Sequence, residues 1–126
     1  MHAVDTNVLV RLLARDDPKQ AAAAETFASS GAWVSLLVLM EAMWVLESVY
    51  DRSSAQIAVA VEMLSAHVTL SLQDTDVVTE ALARFRERPS LGFSDCLILE
   101  VARKAGHLPL GTFDRTLAKM DGAERL

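Results

Sequence analysis

Cysteine is nearly absent from this chain: Cys96 is the only one in 126 residues. A single thiol excludes an intrachain disulfide and a cysteine-based zinc site, and it reads as a small buried apolar side chain. Apolar runs of membrane-spanning length are missing as well, because Glu41 and Glu47 interrupt the longest candidate. No basic, apolar, small-residue signal opens the chain, so a cytoplasmic protein is expected. Positive charge is in deficit, with 12 Lys and Arg against 17 Asp and Glu, a formal charge of −5. That balance excludes nucleic-acid binding by bulk electrostatics and leaves a local basic patch or bound cations as the means of meeting a phosphate. Other familiar chemistries are missing too. His2, His67 and His107 are scattered, and there is no HExxH or CxxC spacing, no glycine-rich phosphate loop and no GxSxG elbow.

Hydrophobic residues make up 52% of the chain and charged residues 23%. This excludes a disordered or fibrous protein. One globular domain over residues 1–126 is expected, burying about two-thirds of the surface its unfolded form exposes. A mean hydropathy of +0.25 is apolar for so small a chain and predicts that a partner covers part of the surface.

Punctuation divides the chain into short strands alternating with helices. HAV is the first strand, and Thr6 to Ala14 has Val8, Leu9, Leu12 and Leu13 at helical spacing. Asp17-Pro18 caps the next helix, AWVS forms a second strand, and Ser35 caps a long helix from Leu36 to Tyr50. Ser53 and Gln56 make a capping box before AQIAVAVEMLSAH, and VTLS supplies a third strand. A helix from Asp76 to Arg88 stops at Pro89, Ser94 caps SDCLILEVARKAG, and LPLGT is a fourth strand. A short helix, RTLAKM, and an edge strand, AERL, close the chain. Such alternation predicts a mostly parallel sheet covered by helices on both faces, a three-layer α/β/α fold.

Four acids fall at telling places. Asp5 ends the first strand, Asp95 starts a helix beside Ile98, Leu99 and Ala102, and Asp114 follows LPLGT directly. Glu100, Arg103 and Lys104 mark the polar side of the helix that Asp95 begins. Glu41 falls inside an expected inward stripe of Leu37, Met40, Trp44 and Val45, whereas Glu47 is rotated about 120° away and can reach solvent. Each position has an ordinary explanation as a cap, a helix-dipole partner or a snorkelling side chain. Together they belong at the carboxyl edge of a parallel sheet, where open α/β folds place their sites. Two like charges 4 Å apart repel by about 4 kcal/mol at an effective dielectric of 20, so such a cluster must bind cations or raise its pKa values. All-oxygen donors suit hard ions such as Mg²⁺ or Mn²⁺.

DTNVLV, the ME of the apolar helix, FSDCLIL and GTFDRTLAK together resemble the signature of PIN-domain ribonucleases, in order and across essentially the whole chain. Small domains of this length most resemble the VapC toxins of bacterial toxin–antitoxin pairs. The resemblance implies that Asp5, Glu41, Asp95 and Asp114 form an acidic Mg²⁺ or Mn²⁺ pocket, with Asn7 and Thr112 in support. It implies hydrolysis of RNA phosphodiester bonds, a homodimer, and a VapB-type antitoxin whose tail lies in the active-site groove. The helices from Leu36 to Tyr50 and from Ala55 to His67 are the expected interfaces, with Trp33 and Trp44 as residues of core or contact. RNA phosphates are expected at Arg11, Arg15 and Lys19, at Arg84, Arg86 and Arg88, or at Arg115 and Lys119. Two other readings fit less of the chain. A catalytically silent PIN-like interaction module keeps the acids without turnover. A Mg²⁺-dependent phosphoacceptor domain needs an aspartate after the third strand and a lysine after a late one, and neither VTLS nor LPLGT supplies them.

Overall fold

The computed structural model describes residues 1–126, which divide into two compact units, Met1–Thr75 and Asp76–Leu126. In the first, strand β1 (His2–Ala3) passes into helix α1 (Thr6–Ala14) through Asp5, whose carboxylate accepts the Val8 N–H at 3.0 Å. Helix α2 (Pro18–Ala28) starts from Asp17, which accepts the Gln20 N–H, with Pro18 in the first turn where its missing donor costs nothing. Strand β2 (Ala32–Val34) leads to α3 (Leu36–Ser48), α4 (Ser54–Ala66) and strand β3 (Leu70–Leu72). The three strands pair in parallel in the order β1-β2-β3. Ser35 caps α3 by accepting the Val38 N–H, and the Gln73 amide oxygen takes the Leu36 N–H at 2.9 Å, so the start of α3 is held by its own cap and by the end of β3. The Ser53–Gln56 capping box forms in both directions. Substituting a cap of this kind costs about 1 kcal/mol.

Helix α1 packs on α2 and α3, and α3 packs on α4. The buried face of α3 is Leu39, Ala42, Met43 and Leu46, not the expected stripe. Leu37 is 75% exposed and Trp44 60%, with Glu41 exposed between them. The correction has a physical cause. LLVLMEAMWVL is apolar on every side, so periodicity cannot choose its inward face, and packing against α1 does.

In the second unit, helix α5 (Thr75–Glu87) ends before a 3₁₀ turn at Pro89–Leu91, and α6 (Phe93–Ala105) follows. Helix α6 begins at Phe93, before the expected cap. Gly92, at φ 85°, turns the chain, Phe93 packs edge-on against Phe85 at 6.0 Å, and Ser94 lies within the helix rather than capping it. Gly106, at φ 83°, ends α6 in the left-handed conformation. Strand β4 (Leu110–Thr112) pairs in parallel with β5 (Ala123–Arg125), which confirms the closing edge strand. Between them the expected helix shrinks to a 3₁₀ turn, Leu117–Lys119. The strands pair in two ladders, β1-β2-β3 and β4-β5, all parallel, the short parallel sheets expected from the alternation.

Glu100, expected on the polar side of α6, is 4% exposed. It follows Phe93, Cys96 and Leu97 at helical spacing and is drawn inward with them. Its carboxylate lies 3.1 Å from Arg103 Nε and 3.8 Å from Arg84 Nε, while its buried Oε1 has no hydrogen-bond partner. Arg103 also donates to the Asp121 carbonyl at 2.6 Å, tying α6 to the segment before β5. A buried carboxylate that loses a partner is costly, whereas an apolar replacement is tolerated. We therefore expect Arg103→Met to lower unfolding stability by about 3 kcal/mol in urea titrations, and Glu100→Leu in that background to recover most of the loss.

Candidate active site

Asp5 sits where β1 becomes α1, and its role as N-cap fixes one oxygen toward the helix backbone. Asn7, in the first turn of α1, lines the same cavity as Asp5, an opening of about 350 Å³ between α1 and α2. Val8, Ala23, Ala24 and Phe27 wall this cavity, and Arg11 and Gln20 supply its polar groups. Arg11 is held by three neighbours. Its Nε donates to Gln20 Oε1 at 2.6 Å, and its Nη1 donates to Asp16 Oδ1 and to the Tyr50 hydroxyl, each at 3.0 Å. Tyr50 donates in turn to Asp16 Oδ2 at 2.8 Å, and this bond, with the Arg11 charge behind it, holds the Asp16 carboxyl below its ordinary value. Glu41 is exposed on the second turn of α3, whose start is fixed by Ser35 and Gln73.

In the second unit Asp95 lies half-buried in the first turn of α6, and Asp114 follows β4 on exposed backbone. Asp114 Oδ1 accepts the N–H groups of Thr116 and Leu117, both at 2.8 Å, and the Thr112 hydroxyl accepts the Asp114 N–H at 3.0 Å. Thr112 thus orients Asp114 through the backbone. Loss of solvent, and then the charge of Asp114, push the Asp95 carboxyl above its ordinary value of 3.8. Within neither unit do three His, Cys, Asp or Glu side chains converge on a metal-sized point. The donor chemistry nevertheless fits a divalent cation. Asp95 feels the Asp114 charge, a repulsion that a hard cation relieves, and the oxygens on offer are those such ions prefer.

Several expected RNA contacts are already committed within the protein. Arg11 is balanced by Asp16, Arg15 pairs with Glu25, and Arg84 serves Glu80, Glu87 and the buried Glu100. Lys19, Arg86, Arg88, Arg115 and Lys119 are exposed. Cys96 is buried, and the loss of solvent, with the neighbouring Asp95 charge behind it, pushes its thiol up to about 11, so it takes no part as a nucleophile. The sequence reading passed over Asp16, Gln20, Phe27 and Tyr50. Only the spacing of Gln20, Ala23, Ala24 and Phe27 along one face of α2 hinted at them.

Short parallel strands followed by helices, with acids at the turns between them, define an α/β domain of the kind that keeps its chemistry at strand ends. The chain belongs to the PIN domain family, whose model matches residues 3–123. Six helices with short parallel sheets are consistent with the three-layer α/β/α fold of that family. PIN domains are in general nucleases that use divalent metals. No curated protein and no solved structure matches the chain. No helix is long and apolar enough to cross a membrane.

The raised Asp95 pKa makes stability depend on pH. Well below 3.8 the group is protonated in folded and unfolded chains alike and carries no penalty. As pH rises through 3.8 the unfolded chain ionises first, so folding loses stability until the higher folded value is passed, and the loss persists above it. In chelator at neutral pH, Asp95→Asn should therefore melt higher than the parent, with the difference vanishing well below pH 3.8 in thermal scans.

Proposed function

We propose that this protein is a Mg²⁺- or Mn²⁺-dependent endoribonuclease and the toxin of a toxin–antitoxin pair. The observation that carries the reading is the coupling of Asp95 to Asp114, a carboxylate held half out of water against a like charge in a chain of the PIN family. Structural carboxylates are normally paired with cations, as Glu100 is with Arg84 and Arg103. Asp5, Glu41, Asp95 and Asp114 would be the metal ligands. The chemistry a bound ion supplies is activation of water for in-line attack on an RNA phosphodiester and stabilisation of the departing oxygen. Asp5 and Asp114 each hold one oxygen against helix or turn N–H groups, which fixes the carboxylate plane before any ligand arrives. Thr112 maintains the Asp114 turn, and Asn7 presents an amide beside Asp5. Exposed Arg115 and Lys119, next along the chain, suit contact with substrate phosphates.

The predicted activity is RNA cleavage that needs Mg²⁺ or Mn²⁺, stops with chelator, and disappears in Asp95→Asn while the circular dichroism spectrum is kept. Mn²⁺ should also raise the melting temperature of the parent and not that of Asp95→Asn. Folded protein that leaves RNA intact in Mn²⁺ favours the silent interaction module instead.

The toxin reading is supported by exposed apolar side chains on α3 and α4, namely Leu37, Trp44, Val59 and Met63, which suit a homodimer and a VapB-type antitoxin. Expression in bacteria should arrest growth unless the antitoxin is co-expressed, and Trp44→Glu should shift the particle mass in light scattering from dimer to monomer. Unaffected growth under expression of active enzyme points to a housekeeping nuclease.

A further inference from the structure

The cavity between α1 and α2 is built unlike a phosphate site. Its cation, Arg11, is balanced by Asp16 and locked by Tyr50 and Gln20, so it offers oriented N–H groups with little net charge. Such an end wall suits a neutral acceptor better than an anion. Gln20 must turn its oxygen toward Arg11 Nε, which leaves the amide nitrogen, its only donor group, for a ligand. The side walls are Val8, two alanines and Phe27, a residue 44% exposed whose ring packs against that of His2 at 5.0 Å between centroids. The alanines keep the space open where larger residues of α2 would fill it. At about 350 Å³ the opening is large enough for a planar heterocycle, and it runs on to Asp5.

We propose that this cavity takes the nucleobase next to the cleaved phosphate, and that it selects a base with a carbonyl-bearing edge, guanine or uracil, over adenine. The occupant's identity rests on the nuclease reading, because a phosphate bridged to Asp5 by the cation of that reading would carry its own base within reach of the opening. Phe27 is the stacking platform, a role that aromatic faces play for every base in single-stranded nucleic acid. Gln20 and Arg11 read the edge. A carbonyl oxygen meets their N–H groups, whereas the amino group of adenine sets donor against donor and leaves only its ring nitrogens to accept. The target is then RNA with an unstacked base at the cut, in a loop or single strand.

The test uses full-length Asp95→Asn protein titrated with guanosine, uridine and adenosine monophosphates and followed by amide NMR. Shifts should centre on Gln20, Ala23, Ala24 and Phe27, with adenosine binding about tenfold more weakly than the other two. Phe27→Leu keeps the apolar bulk without the aromatic face and should weaken all three. Gln20→Glu keeps an acceptor for Arg11 but turns the reading group from donor to acceptor, so preference should move toward adenosine. In the cleaving parent, the same two substitutions should change the base found beside the cut sites. Shifts centred elsewhere, or a base preference unmoved by Gln20→Glu, overturn the proposal even if RNA is cleaved. Binding with the stated preference in a protein that never cleaves RNA upholds the pocket and removes the nuclease reading. Loss of antitoxin binding in Phe27→Leu, with cut sites unchanged, assigns the cavity to a protein side chain and also overturns it.

Discussion

Short strands that turn at once into helices are the constraint on which the rest depends. β1 has two residues and β2 and β3 three each, so the chain leaves every strand within a turn and must satisfy the first N–H groups of the next helix there. Asp5 and Ser35 do so at α1 and α3, and Asp114 does the same for the turn after β4. A carboxylate used in this way is oriented by the backbone through one oxygen while the other remains available. Capping and chemistry therefore draw on the same residue, which is why an acid at a strand end is a structural part before it is a functional one.

Charge in this acidic chain is sorted by what balances it. Glu100 is buried and has two guanidiniums, and Asp16 has Arg11 and the Tyr50 hydroxyl. Asp76 is paired with Lys104 at 3.1 Å, and that bond leads the causes that lower its pKa. Asp95 stands apart from these, because its largest influences are lost solvent and another acid, and both oppose its charge. A bound cation of the kind proposed above would relieve that opposition. The contrast with Glu100 rules out a shortage of arginines as the reason. Arg84 and Arg103 belong to the same unit and serve a different acid.

Most of the element pattern was legible because it is written in local chemistry. The Ser53–Gln56 box, Asp17-Pro18, Pro89 and Gly106 are punctuation whose effect does not depend on distant residues, and each acts where expected. What failed needed tertiary information. The inward face of α3 cannot be read from a helix apolar all round, and Glu100 looked like a surface residue until its helical neighbours carried it inside. Ser94 resembled a cap, but the burial of Phe93 set the helix start earlier. Asp5, Asp95 and Asp114 stand at the turns or helix starts expected of them and Glu41 within α3, while the Arg11 network was not legible because its members lie up to 39 residues apart.

That network also changes what the basic residues mean. Counted along the sequence, Arg11, Arg15 and Arg84 resemble phosphate contacts, yet each is neutralised by a carboxylate of its own unit. An arginine so balanced contributes little long-range attraction to a polyanion, but its N–H groups are fixed in direction, and direction is what distinguishes one neutral acceptor from another. With bulk charge of the wrong sign and these guanidiniums spent, the RNA affinity proposed above would draw on cations at the acids, on the exposed Arg115 and Lys119, and on stacking on exposed rings such as Phe27. Stacking acts only in contact and needs a base free of its neighbours. A protein that recognises RNA in this way depends on an accessible, unstacked base far more than on the phosphate charge of a long duplex.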